Sequence, residues 1–527
     1  MSRASAAKQN RIPGKRERLR KENSIRNVAV NVVCQAASIL MSFLCRTVFI
    51  RTLGEQYLGI DGLFGNILSL LAIAELGIGQ TIVYHLYEPL ARNDRKKLGA
   101  LMTLFKKTYR VIGAVIGAAG LLLTPFYHYF VDQSIKIPNL TLIYLLYVFN
   151  SVITYFYSSQ QCIITADQKG YVCTLYRYGF CIVQNIAQIA VLLKTRNFIL
   201  YFVLQIAFSF CTNYFLARKA GKMYPFVKRY EREKLSEPDK ADIKKNVKAM
   251  FMHRIGGVVV NGTDSLVISK IFGVATVGFY SNYYMITSKL NDFTSQIFSG
   301  ITASVGNLGA VEDERKSYRI FRVTNFAGFW IFSFCSICLF CLFNPFIELW
   351  AGAKMLLPMN VVLFIVLNFF ATGMRQAVLT FKNSFGLFWY DRYNAVAEAL
   401  VNLLVSIVLA RQIGLAGVLA GTLVSTLTTD LWVEPLVLFR HGFHRSVKPY
   451  FLRYAVYTAL TFAVGYATWR CCGLVAAGGL AGFLLRCVIC VVLPNAAYLL
   501  IFYRSKEFQY LKNAVKLPKL RGKRRPG

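Results

Sequence analysis

Apolar stretches of about 20 residues, separated by short polar breaks, recur from Asn27 to Tyr503. A bilayer's hydrocarbon is about 30 Å thick and takes roughly 20 helical residues to cross, with no backbone polar group left unpaired inside it. The pattern therefore predicts an all-α membrane protein of about fourteen transmembrane helices, near 27–50, 58–86, 110–130, 139–165, 171–193, 197–217, 247–269, 275–305, 321–342, 358–381, 388–410, 413–438, 452–469 and 480–503.

Charge adds an orientation. The chain carries 61 Lys and Arg against 25 Asp and Glu, a formal net charge of +36. Most of the basic residues collect in the two tails and at alternate breaks, which under the positive-inside rule makes both termini cytoplasmic. Segments such as Arg11–Lys21 and Lys516–Arg525 could hold a polyanion, but beside membrane helices they read as contacts to anionic membrane lipids rather than to nucleic acid. The expected division is a basic tail (1–26), a first lobe of six helices (27–217), a charged linker (218–246), a second lobe of six (247–438), two accessory helices (439–503) and a basic tail (504–527).

Several function classes are disfavoured. Outward loops are short, so no exported domain houses a catalytic centre. No Gly-x-x-x-x-Gly-Lys-Ser/Thr loop is present, which argues against direct ATP drive. Cys335, Cys338 and Cys341, like Cys487 and Cys490, fall inside apolar spans and read as small packing residues, not metal ligands. The expectation is a transporter, not an enzyme, with no cofactor.

An internal repeat supplies the architecture. Leu53-Gly54-Glu-Gln-Tyr-Leu-Gly59, between spans one and two, recurs as Phe272-Gly273-Val-Ala-Thr-Val-Gly278 between spans seven and eight, and Lys107-Thr-Tyr-Arg110 recurs as Lys316-Ser-Tyr-Arg319. Six helices separate the copies, so the lobes are expected to be parallel. Gly54, Gly59, Gly62, Gly65, Gly273 and Gly278 permit bending or close helix contact.

The run from Leu53 through Asp61-Gly-Leu-Phe-Gly-Asn-Ile-Leu-Ser-Leu-Leu71, then Ala74-Glu-Leu-Gly-Ile-Gly79, resembles the polysaccharide-biosynthesis flippases of the multidrug/oligosaccharidyl-lipid/polysaccharide exporter superfamily. So does His253-Arg-Ile-Gly-Gly-Val-Val-Val-Asn-Gly-Thr-Asp-Ser-Leu-Val-Ile-Ser269 with Gly278-Phe-Tyr-Ser-Asn-Tyr283. The resemblance implies alternating-access export of an undecaprenyl-pyrophosphate-linked oligosaccharide repeat unit across a bacterial cytoplasmic (inner) membrane, with polysaccharide assembly proteins as further partners. The rivals are a multidrug and cation antiporter of the same superfamily and a membrane glycosyltransferase or polymerase.

Such a cargo needs cations, hydrogen-bonding groups and an opening for its tail. Arg46, Arg177, Arg254, Lys289 and Arg375 lie within spans, where a charge by default faces an interior or a cavity, and they are the candidates for the diphosphate. Polar stripes at helical spacing add Asn150, Tyr157 and Gln161 in span four, Asn261 in span seven, and Asn282 and Gln296 in span eight as cavity-lining candidates. The same neutral side chains would also serve as interhelical hydrogen bonds. Asp264, Glu75 and Asp61 are either sites for a coupling cation, Na+ or H+, or fixed partners of nearby arginines.

Overall fold

The computed structural model describes residues 34–71, 85–309 and 314–516, apart from positions 36, 88, 91, 130, 132–136, 168, 386, 388, 389 and 392. Among the described residues all regular structure is helical. Helix α1 covers 37–53, α2 Glu55–Leu71, α3 Arg95–Leu122, α4 Leu140–Ala166, α5 Gly170–Thr195 and α6 Phe198–Met223. The second set is α7 Glu237–Phe272, α8 Val274–Gly309, α9 Glu314–Ala351, α10 Met359–Ser384, α11 Asn394–Ile413 and α12, which is broken into Leu415–Thr428 and Asp430–Val437. Two more long helices follow, α13 Lys448–Gly473 and α14 Gly479–Phe502, before a short α15, Lys506–Lys516.

This is the order the hydrophobic pattern predicts, in a multi-pass membrane protein. Eight described helices are long and apolar enough to cross a bilayer by length and composition alone. Helices α3, α7, α8 and α13 have spanning length but more polar sequences, as expected of helices that turn a face to water or to one another. Helix α7 starts ten residues earlier than the hydrophobic run at 247, because Ser236 caps it: its hydroxyl accepts from the Asp239 N–H at 3.3 Å, and Pro238 is tolerated in the first turn. The expected linker is thus partly helix.

The chain divides into two compact units, Met1–Arg254 and Ile255–Gly527, with the boundary inside α7. In unit 1 the core gathers on α3, where Leu98, Leu101, Met102, Phe105 and Tyr109 meet Ile163 and Ile164 of α4 and Leu216 and Ala220 of α6. The linker is tied to the same helix by ion pairs, Lys97 to Asp239 at 2.7 Å and Lys106 to Glu231 at 2.8 Å. The hydrogen bonds from these lysines hold both carboxyls below their ordinary range.

Unit 2 packs α13 and α14 onto α9. Phe329 stacks on Tyr457 with ring centroids 4.1 Å apart, Trp330 Nε1 donates to Asn495 at 2.9 Å, and Tyr498 meets Ser333. Helix α15 closes over this assembly: Phe508 stacks on Trp330, and Glu507 accepts from Arg322 Nε at 2.9 Å. Helices α11 and α12 approach at backbone contact. A Cβ on Gly417 would fall 2.1 Å from the Leu409 carbonyl oxygen, and one on Gly421 2.5 Å from the Ser406 nitrogen, so the small-xxx-small spacing is what permits the pair.

The repeat is visible as backbone. Gly54 and Gly273 have φ of +83° and +85°, and each N–H reaches back to a carbonyl four residues earlier at 3.1 Å, Ile50 and Ser269 respectively. A Cβ at either position would meet open space. These two glycines therefore serve left-handed turns between consecutive helices, the bending and not the close-contact alternative of the two open for the set.

Candidate functional site

In unit 1, α1 and α2 form a hairpin about Gly54 that brings Arg46 opposite Asp61. The two are paired at 3.0 Å and largely buried, and the Tyr147 hydroxyl of α4 donates to the other carboxylate oxygen. Of the two readings open for Asp61, the structure places it as an arginine partner. Glu75, the other candidate carboxylate of this unit, lies outside the described residues.

A second polar cluster joins α4, α5 and α6. Arg177 Nη2 donates to Gln161 Oε1 at 3.3 Å, Gln161 Nε2 donates to Asn213 Oδ1 at 2.8 Å, and Asn213 is anchored to its own helix through the Ser209 carbonyl at 2.9 Å. Arg177 is exposed, so its guanidinium is presented outward from a neutral relay. Asn213 was not singled out by the sequence, although Ser209 and Asn213 form an i, i+4 polar pair in an apolar span. Tyr157 stands beside this cluster with its ring edge-on to Phe210 and Tyr214, and Asn150 is half-buried two turns further along α4. Below them a cavity of ≈ 630 Å³ is lined by Tyr157, Gln160, Tyr214, Arg218, Lys222 and Lys228, among others.

Unit 2 holds one carboxylate differently. Asp264 of α7 is buried and has no cationic partner among the described residues. Its oxygens accept from the Thr422 hydroxyl of α12 at 3.0 and 3.3 Å, and Asn402 of α11 donates to that same hydroxyl oxygen at 2.9 Å. A buried carboxylate held by neutral groups calls for a proton or a bound cation to balance it. Asn282 of α8 is fully buried, whereas Lys289, two turns on, is half-buried with no ion-pair partner among the described residues. For Arg254, Asn261 and Gln296 only the helical backbone lies within the description.

Arg375 does not stand free for a cargo. Its Nε donates to Glu434 at 3.0 Å and its Nη2 meets Asp430, both on the second segment of α12. Lys382, two turns along α10, binds the other oxygen of Glu434 at 3.0 Å and also Asp391. Asn394 donates to Asp430, completing a buried network of two cations and three acids. The break at Thr429 is what lets Asp430 and Glu434, one turn apart, face α10 together. Arg375, expected at the diphosphate, is thus neutralised in place.

Two further features belong to unit 2. The buried thiols of Cys341, Cys472 and Cys490 all lie within 4.8 Å of one another, with Cys472 and Cys490 sulfurs 3.7 Å apart; no fourth ligand joins them among the described residues. A groove of ≈ 360 Å³ between α9, α10 and α13, lined by Phe340, Val366, Phe370, Phe462, Tyr466 and Trp469, is almost wholly apolar.

The fold is that of known transporters. The chain is similar to the lipid II flippase MurJ in an inward closed conformation, with a TM-score of 0.62 and 12% identity over 90% of this chain and 99% of that one. It is also similar to a multidrug resistance MATE family transporter of the MOP superfamily. The inward-facing conformation gives a TM-score of 0.58 and 13% identity over 79% of this chain and 99% of that one. The outward-facing conformation gives 0.52 and 13% over 81% and 97%. No protein-family model and no curated protein sequence matches the chain.

Proposed function

We propose that the protein moves a polyprenyl-diphosphate-linked oligosaccharide from the inner to the outer leaflet of a bacterial cytoplasmic membrane by alternating access. One observation carries this reading over others compatible with the fold. The chain offers an outward-turned guanidinium on a polar relay, Arg177–Gln161–Asn213, and elsewhere a groove with almost no polar surface between α9, α10 and α13. An outward-turned guanidinium on a polar relay suits an anionic, sugar-bearing head, and an apolar groove suits a long hydrocarbon tail; a compact organic cation calls for neither. Of the sequence's diphosphate candidates we assign Arg177 in unit 1 to that role, and Arg254 and Lys289 remain candidates to be tested. Asp264, held by Thr422 and through it Asn402, is assigned to a coupling Na+ or H+.

The buried acid surplus of unit 2, with Asp391, Asp430 and Glu434 against Arg375 and Lys382, favours a second reading, an antiporter of organic cations. Reconstituted vesicles separate the two. A fluorescent lipid-linked saccharide placed in one leaflet should become accessible to an impermeant oxidant on the other side. Arg177→Ala and Lys289→Ala should slow this about tenfold or more, with insertion unchanged. Transport of organic cations without saccharide movement would overturn the first reading in favour of the second.

A further inference from the structure

We propose that the cavity at the basic end of α6 in unit 1 is a binding site for the phosphate group of an anionic membrane lipid, using cations other than those assigned to the cargo. The inference rests on the membrane reading of the chain and not on which cargo it carries. The cavity, ≈ 630 Å³, has the size of a small-ligand site. Tyr214, Arg218, Gly221 and Lys222 fall at i, i+4, i+7 and i+8 of α6 and so share one face, and Lys228 joins them from the one-turn helix Phe226–Arg229.

No carboxylate among the described residues lines the cavity. Among the described residues Arg218, Lys222 and Lys228 make no ion pair, whereas the neighbouring Lys97, Lys106 and Lys169 are each matched to an acid. Glu231, which interacts electrostatically with Lys228, is already hydrogen-bonded by Lys106 at 2.8 Å. Likewise, the Tyr224 hydroxyl is spent on Asp167 at 2.7 Å, leaving Tyr157, Tyr214 and the Gln160 amide as neutral donors. Met102, Ile163 and Val227 give the remaining wall an apolar character suited to the start of an acyl chain. Gly221 leaves the wall open, since a Cβ there would touch nothing within 4 Å. Three cations that make no ion pair among the described residues, phenolic donors and an apolar wall are the complement of a phosphate at the end of a hydrocarbon chain.

The test uses the full chain in detergent, titrated with phosphatidylglycerol, phosphatidylcholine and inorganic pyrophosphate, with retained lipid read by native mass spectrometry. Phosphatidylglycerol should be held in preference to phosphatidylcholine and be displaced by pyrophosphate. The triple variant Arg218→Gln, Lys222→Gln, Lys228→Gln should lose about tenfold or more in affinity. Gly221→Leu should lose a similar amount with every charge in place, because the side chain occupies the cavity. A triple variant Lys219→Gln, Arg232→Gln, Lys234→Gln removes the same charge from the same end outside the cavity and should stay within about twofold. Equal loss in that control, equal retention of phosphatidylcholine, or full binding by Gly221→Leu would overturn the site. Pyrophosphate binding with no phosphatidylglycerol retention would overturn the lipid assignment and give the cavity to a soluble or cargo phosphate. Saccharide movement is expected to persist in the cavity variants, so a failure here leaves the proposed cargo standing.

Discussion

Asp61 lies just after the first copy of the repeated turn and Asp264 just before the second, and the two units receive these acids in opposite ways. Asp61 is matched to Arg46 and to the Tyr147 hydroxyl. Asp264 is met, among the described residues, by the neutral Thr422 and Asn402 relay. The first is an ion pair, partly open to solvent; the second has no cationic partner among the described residues, and we propose that a proton or a bound cation balances it. The repeat has thus conserved its backbone turns, Gly54 and Gly273, while the chemistry hung on them has diverged.

The strongest way to break this comparison lies in the network of unit 2. Arg375→Gln strands Asp430 and one oxygen of Glu434 in a buried setting, and should cost about 3–5 kcal/mol, seen as a large fall in the thermal midpoint of the purified protein. A loss under about 1 kcal/mol would mean that the pairs of α10 and α12 are not the closed network drawn here. The turns come next. Gly54→Ala and Gly273→Ala force a Cβ into left-handed backbone and should each cost about 1–2 kcal/mol. Unequal losses would show that the two copies are equivalent in conformation but not in the strain they can absorb.

The carboxylates themselves should then differ in sign. Asp61→Asn leaves Arg46 without its counter-charge and should destabilise by about 1 kcal/mol, since the pair is partly open to solvent. Asp264→Asn removes an unmatched buried charge, so its stability should hold or rise by about 1 kcal/mol, while the dependence of transport on Na+ or pH disappears. Matching losses in both variants would erase the distinction. The smallest effect belongs to the linker. Lys97 and Lys106 depress the carboxyls of Asp239 and Glu231, so their contribution is present above the unfolded values of 3.8 and 4.5 and is lost as pH falls through the lower folded ones. Both pairs are substantially exposed, so acid titration of Lys97→Gln against the parent should differ by a few tenths of a kcal/mol, less in high salt.

Much of this was legible in the chain. Helix order, the repeat and the presence of charge within spans all follow from periodicity and composition, because a bilayer forces those patterns on any sequence that crosses it. What one helix's stripe cannot disclose is which other helix it meets. Arg375 and Asp264 stood out, but their partners Glu434, Thr422 and Asn402 lie 59, 158 and, for the Asn402–Thr422 step, 20 residues away along the chain. Asp430 and Glu434, an i, i+4 acid pair in an apolar stretch, were the available clue to the network. The turn role of Gly54 and Gly273 was hidden for another reason, since spacing alone does not distinguish a glycine needed for φ from one needed for contact.

The contact between α15 and α9 bears on how the protein is made. Arg322 and Glu507 are separated by 185 residues, and Trp330 likewise waits for Phe508. During synthesis Arg322 is produced with several helices still to come, so its counter-charge and the aromatic lid beside it arrive only when the final described segment leaves the ribosome. Maturation of the second unit is therefore a late event in biogenesis, and a nascent chain stalled before Glu507 holds α9, α13 and α14 without the clasp that joins them.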